Sequence, residues 1–131
     1  MNTLEIQAGL AATPGYRYAE SIGNQLFVAG QVPQDGNGNL VGLDHPQAQA
    51  TQCLQNLRTL IELHGFRDRD IRHLTIYVVG DRSDLVDAWQ AVTTWFDNTV
   101  PPATLLGVAQ LGHDNQLVEI DATVIRNLSP T

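Results

Sequence analysis

The chain has 131 residues, enough for one domain whose core needs no disulfide or metal staple, and its 43% hydrophobic and 16% charged content is that of an ordinary soluble globular protein. Fourteen acids against seven bases give a formal net charge of −7. This argues against nucleic acid as a partner, because a polyanion is bound by a basic surface that displaces its counterions. All seven bases are arginines (17, 58, 67, 69, 72, 82 and 126), and the absence of lysine excludes an internal Schiff base, a pyridoxal-phosphate anchor and a P-loop lysine.

Cys53 is the only cysteine, so no disulfide framework can form within the chain. No apolar run approaches the roughly 20 residues of a membrane span. No basic start followed by an apolar stretch marks a secretory signal. The expectation is a cytoplasmic protein with no membrane partner, one domain over residues 1–131, without repeat or linker.

Residues 16–21 and 25–32 read as extended segments joined at Gly23-Asn24, a hairpin signal, with Leu26-Phe27-Val28 strongly β-prone. Residues 35–39 (Asp-Gly-Asn-Gly-Asn) read as a loop. The spacing of Ala50, Cys53, Leu54, Leu57, Leu60 and Ile61 predicts a helix over 46–64, with Pro46 in the first turn, Asp44 or His45 as cap and Gly65 as stop. Cys53 falls on its apolar stripe and reads as a small buried hydrophobe rather than a nucleophile. The run from Arg67 to Arg72 alternates bases with acids and reads as a solvated loop.

Residues 73–79 predict a strand and 83–97 a second helix, ended by Pro101-Pro102. Residues 104–111 and 117–125 predict two final strands, paired as a hairpin across Gly112-His113-Asp114-Asn115. In the last strand Val118, Ile120, Ala122 and Val124 share one face, suited to packing under helices, while Leu117, Glu119, Asp121 and Thr123 share the other. The whole is an α+β layer with both helices on one sheet face. Leu105 and Leu117 are candidates for covering the opposite face, at an oligomer interface.

Chemistry is sparse. His45, His64, His73 and His113 show no ligand spacing, so no metal site is expected. Ser21, Ser83 and Ser129 stand in no G-x-S-x-G elbow and have no histidine partner evident in the sequence. Gly30 ends a strand, where its missing side chain allows close approach of a ligand or backbone, or simply a bulge. Glu119 sits among apolar neighbours. At an interface or in a pocket, burial would push such a carboxyl toward the range useful for general acid–base work, whereas on an open strand it would be an ordinary solvated acid.

The stretch from Gly23 to Pro33 (GNQLFVAGQVP) resembles the "lfvSGQvP" signature of the Rid family, the reactive intermediate deaminases also called YjgF or L-PSP proteins. Further matches follow in order: Gln49-x-x-Gln52-x-x-x-Asn56-Leu57, Gly65, residues 74–78 (LTIYV), Asp81, Trp95-Phe96, Pro101-Pro102, Gly107-Val108-Ala109-x-Leu111 and residues 118–122 (VEIDA). The resemblance runs from about Tyr16 to Val124. It implies a chorismate-mutase-like α+β fold and a homotrimer, whose three sheets form a central barrel with small-molecule pockets between subunits. Active members hydrolyse enamines and imines of amino acids to 2-keto acids and ammonia, without a cofactor. An arginine holds the substrate carboxylate, a bidentate task suited to its planar fork.

By this resemblance Glu119 is the catalytic residue that positions or activates water, Tyr16 lines the pocket, and Gly30, Ala103, Thr104 and Leu105 contact substrate. The chain departs from the family at three positions: Ala103 stands where active members have the arginine, Ala29 where they have serine, and Trp89 where they often have asparagine. Arg17 is a candidate substitute anchor, although strand alternation would turn it away from Tyr16. Trp89 reads either as core or as a ligand contact. Three readings follow: a deaminase-like hydrolase with altered substrate choice, a trimer that binds a small metabolite without turnover, and an endoribonuclease or translation inhibitor, names attached to parts of the family. The net charge and the lack of lysine weigh against the last.

Overall fold

The computed structural model describes residues 1–128, and Ser129 lies outside them. Its elements are α1 (Thr3–Gln7), β1 (Ala19–Ile22), β2 (Gln25–Val28), α2 (Pro46–Leu63), a 3-10 turn (Asp68–Asp70), β3 (Ile71–Val79), α3 (Arg82–Trp95), β4 (Ala103–Val108) and β5 (Val118–Ile125). The five strands form one sheet in the order β1-β2-β5-β3-β4. Four pairings give it its shape: β1 with β2, β2 with β5 and β3 with β5 are antiparallel, and β3 with β4 is parallel.

Local chemistry sets the boundaries. Gly23, at φ +60°, makes the two-residue turn of the β1–β2 hairpin. Pro46 opens α2 at a position whose N–H has no helical partner anyway, and Gly65, at φ +86°, ends it. Asp81 caps α3 by accepting from the Asp84 N–H, and the Asp84 carboxylate returns the favour to the Asp81 N–H.

Leu74, Ile76 and Val78 of β3, with Val118, Ile120 and Val124 of β5, are buried under α2 and α3. The apolar stripe of α2 meets them through Ala50, Cys53, Leu54, Leu57 and Ile61, and α3 contributes Ala88 and Val92. Alternation therefore turns Thr75, Tyr77, Glu119 and Asp121 toward the opposite face, as predicted for β5. That second face also carries Phe27 and Leu106, half-exposed and without a covering layer.

The structure corrects three expectations. Residues 104–111 and 117–125 do not form a hairpin. β4 runs parallel to β3 on the sheet edge, with α3 as the crossover, while β5 slots between β2 and β3. A connection built around the fourteen-residue helix α3 permits that parallel return between β3 and β4, and strand patterning alone cannot distinguish it from a hairpin. Leu105 packs against the helix-side core, not the open face, and Leu117, partly buried at the start of β5, also packs against the core. Leu105 is in register with Ile76, which fixes its side. Finally, residues 2–16 contain a short helix and an ordered return that no periodicity announced.

Candidate functional site

The end of β2 runs past β5 through a reciprocal pair of backbone hydrogen bonds between Gln31 and Ile120, at 2.7 and 3.1 Å. This lays Gly30 directly against Glu119. A Cβ on Gly30 would stand 2.4 Å from Glu119 Oε2 and 3.0 Å from its Cδ. The carboxylate thus occupies the space that a side chain at position 30 would fill.

Gln116 holds that carboxylate in place. Its buried amide donates to Glu119 Oε1 at 3.2 Å and to the Val118 carbonyl at 3.1 Å, while its oxygen accepts from the His113 N–H. The turn carrying Gln116 is in turn pinned by Gln49, fully buried on α2. Gln49 donates to the carbonyls of Gly42 and Asn115 and accepts from the Leu117 N–H at 2.7 Å. Buried amides that spend both protons and accept at the oxygen give a rigid support rather than a flexible loop.

Tyr16, on the N-terminal return, lines the cleft beside Gly30. Partial burial raises its phenol above the ordinary range, and the nearby Glu119 charge raises it further. Asn2 fixes this turn: its amide donates to Thr13 Oγ1 and to the Tyr16 carbonyl, and its oxygen accepts from the Tyr18 N–H at 3.0 Å. Tyr18 points inward, donating to the Ala11 carbonyl at 2.7 Å. Burial chiefly, with Tyr16 and Glu5 adding to it, pushes its pKa up to about 12. Buried Glu5 bonds His64 at the end of α2 across 2.6 Å. The segment bearing Tyr16 is thus tied down at three points.

Asn56 completes this half of the site. Its amide donates to the carbonyls of Val32 and Gln34, and Gln52 orients it. Between Tyr16, Gly30, Gln34, Asn56 and His113 lies a cleft of only about 10 Å³, which is room for a single water at most. Below it Cys53 is fully buried, and burial, with Glu119 adding to it, pushes its thiol well above the usual range.

Ala103, Thr104 and Leu105 lie elsewhere. They are on β4, beyond β3 from β5, so one chain does not bring them to Tyr16, Gly30 and Glu119. Pro102 O accepts from the Leu74 N–H, and in a parallel ladder alternate residues then face the neighbouring strand. The N–H and C=O of Ala103, Leu105 and Gly107 consequently point outward from the sheet edge. Thr104 sits on the open face, its hydroxyl 3.3 Å from His73 Nε2. Beside Leu105 and Gly107, an open cavity of about 390 Å³ is lined by Leu85, Trp89, Gln90 and Arg82. Trp89 is therefore both packed on the core and a wall of this cavity. Arg17 pairs with Glu20 at 3.4 Å.

The supporting residues Asn2, Gln116, Gln49 and Asn56 were not assigned a site role from sequence. The glutamine and asparagine of α2 stood in the motif, but only the fold shows that their amides anchor the two loops. Among the described residues no group of three or more His, Cys, Asp or Glu converges, and no helix is long and apolar enough to cross a membrane.

Comparison with known proteins places this arrangement. The family model described as Endoribonuclease L-PSP matches residues 6–126. The 2-iminobutanoate/2-iminopropanoate deaminase of Salmonella typhimurium is 29% identical over 126 residues, covering 95% of this chain and 97% of that protein. Among solved structures, Escherichia coli TdcF with bound serine superposes with a TM-score of 0.81 at 25% identity, covering 92% of this chain and 95% of the other. The Escherichia coli YjgF gene product gives 0.80 at 26% identity, with the same coverage. A five-stranded sheet under two long helices, the match over residues 6–126 and these relatives agree: the chain belongs to the Rid/YjgF/L-PSP family.

Proposed function

We propose that the protein hydrolyses imines or enamines derived from amino acids, in a pocket between subunits of a homotrimer, with a substrate choice altered from the family pattern. The observation that carries this reading is the Glu119 carboxylate seated over Gly30 and oriented by Gln116, with Tyr16 lining the cleft beside Gly30. In the reaction, water adds to the imine carbon, the C–N bond breaks, and a keto acid and ammonia leave. Glu119 takes the proton from water and returns it to the departing nitrogen, a general-base and general-acid role. Tyr16 closes the wall above it.

Two features support a composite pocket. The cleft beside Tyr16 is too small for a substrate by itself, and a second wall from a neighbouring subunit would complete it. The open sheet face carries half-exposed Phe27 and Leu106, apolar surface suited to burial against further copies. The outward N–H groups of Leu105 and Gly107 on a neighbouring subunit's β4 would then supply hydrogen bonds to substrate. With Ala103 at the family's arginine position, Arg82 is the anchor we assign for a substrate carboxylate. It lines the cavity beside Leu105, and no side-chain partner holds it among the described residues. Leu85, Trp89 and Leu105 around it select an apolar side chain. The 2-iminobutanoate and 2-iminopropanoate named for the Salmonella relative are smaller members of this class.

Subunit mixing tests the composite pocket. Glu119→Gln removes the base, and Leu105→Pro removes one outward donor without touching the β3 ladder. Chains of the two variants, co-refolded, should show keto-acid release well above either parent, because some mixed interfaces carry both intact halves. Mixed assemblies no more active than their parents would contradict it. A second reading, a trimer that binds a metabolite without turnover, draws on Ala103 and the apolar cavity beside Leu105. It predicts tight binding of an apolar keto acid with no product from the corresponding imine.

A further inference from the structure

Four of the seven arginines converge at the end of the molecule where α2 stops and β3 begins. Arg67, Arg69, Arg72 and Arg126 line one open cavity of about 530 Å³, with Asp70, Gly65 and Asn127. The sequence predicts a solvated run in which Asp68 and Asp70 cancel these charges, and the fold undoes part of that cancellation, leaving Asp70 as the one acid against four arginines in the lining. Asp68 turns to Arg58, 2.6 Å away. Asp70 is buried beside the cavity and spends an oxygen on the Arg67 N–H at 2.8 Å. Arg126, distant in sequence, is brought in by β5.

Three of the four guanidinium groups are held in place, and most of the donors remain free. Arg126 donates to the Gly65 carbonyl at 3.0 Å and stacks over Phe66, 4.3 Å from the ring centre. Arg72 donates to the Ile125 carbonyl and to Asn127 Oδ1. Arg67 donates one bond to the Phe66 carbonyl. Arg69 has no hydrogen-bond or ion-pair partner among the described residues. Each guanidinium carries five N–H donors in a rigid fork that matches phosphate oxygens, so roughly fifteen are left unspent across the four. Concentrating four cations around one cavity on a chain of net charge −7 costs self-repulsion, which a bound anion would relieve.

We infer that this cavity is a binding site for a small molecule carrying two or more adjacent phosphoryl groups, such as pyrophosphate or a nucleoside diphosphate. Four cations around one concavity outnumber what a single phosphate needs. The arginines form a compact cluster and not a stripe, and the chain as a whole carries a net charge of −7, which disfavours the extended contact that an RNA backbone requires. The site lies at the opposite end of β5 from Glu119, so it does not belong to the imine pocket and does not depend on that function.

Calorimetric titration of the intact protein with pyrophosphate, ADP, AMP, inorganic phosphate and sulfate tests this, with a short single-stranded RNA in parallel. Pyrophosphate and ADP should bind at least tenfold more tightly than AMP, phosphate or sulfate, and more weakly as salt rises. Arg69→Gln and Arg72→Gln should each weaken pyrophosphate at least fivefold. Arg17→Gln, which changes net charge equally beyond the end of the β1–β2 hairpin opposite its Gly23-Asn24 turn, should leave it unchanged. Arg69 makes no contact whose loss would unfold the chain, so its variant isolates the site. Equal weak binding of all anions, an Arg69→Gln protein that binds as before, an equal loss with Arg17→Gln, or tighter binding of RNA than of ADP would each overturn the inference.

Discussion

Replacing Gly30 by alanine probes the centre of the site with one methyl group. The backbone there is not in the left-handed region, so alanine adds no strain of its own and acts only through space. Its Cβ would stand 2.4 Å from Glu119 Oε2, whereas ordinary contact begins near 3.4 Å, so the carboxylate must move by the difference, about 1 Å. That displacement breaks the 3.2 Å bond from Gln116, a charge-assisted contact worth about 1.5–3 kcal/mol. Lower entropy of the unfolded chain returns about 0.4–1 kcal/mol. The net loss is about 1.5 kcal/mol, or about 6 °C in Tm for a chain of this length. Keto-acid release should fall about 100-fold, the usual consequence of a 1 Å misplacement of a reacting group. A double-mutant cycle separates the clash from other effects. In a Glu119→Ala background nothing opposes the methyl, so Gly30→Ala should be neutral or slightly stabilising. An equal loss in both backgrounds, read by thermal unfolding, would refute the reasoning.

Three further outcomes follow from the supporting structure. Gln49→Leu leaves the Leu117 N–H and two carbonyls without partners, and should cost about 2–3 kcal/mol, lowering Tm by about 7–11 °C in calorimetry. Tyr18 has a folded-state pKa raised to about 12 against an ordinary value near 10, so the stability it contributes is complete below pH 10 and is lost as pH rises toward 12. Denaturant midpoints should fall over that window, and Tyr18→Phe should flatten the fall while lowering stability at neutral pH. Cys53, fully buried with its thiol pushed well above the usual range, should react with an alkylating reagent only at the rate of global unfolding. Labelling within minutes under native conditions would contradict the packing described for it.

Much of this fold is legible in periodicity. The stripe from Ala50 to Ile61 and the alternation from Val118 to Val124 are strong because each element buries only one face. Strand order is not legible in the same way. A stretch such as residues 104–108 reads as a strand whichever neighbour it pairs with, and the preference for β3 is a property of the α3 crossover. Glu119 and Gly30 stand out in sequence, one as an acid among apolar residues and one as a glycine ending a β run. Their contact arises from the backbone pairing of Gln31 with Ile120, which no local pattern encodes. Charge alternation misleads at residues 67–72, because sequence neighbours cancel on paper while side chains at successive positions point to different partners.

The central claim is that Glu119 handles the water in imine hydrolysis, and the direct measurement is keto-acid release from a freshly generated, apolar 2-imino acid. Natural chain and Glu119→Gln protein are compared against the uncatalysed rate. The account predicts clear acceleration by the natural chain and loss of at least 100-fold in the variant, with unchanged melting behaviour and unchanged pyrophosphate binding at the arginine cavity. A Glu119→Gln protein that turns over as fast as the natural chain would contradict it.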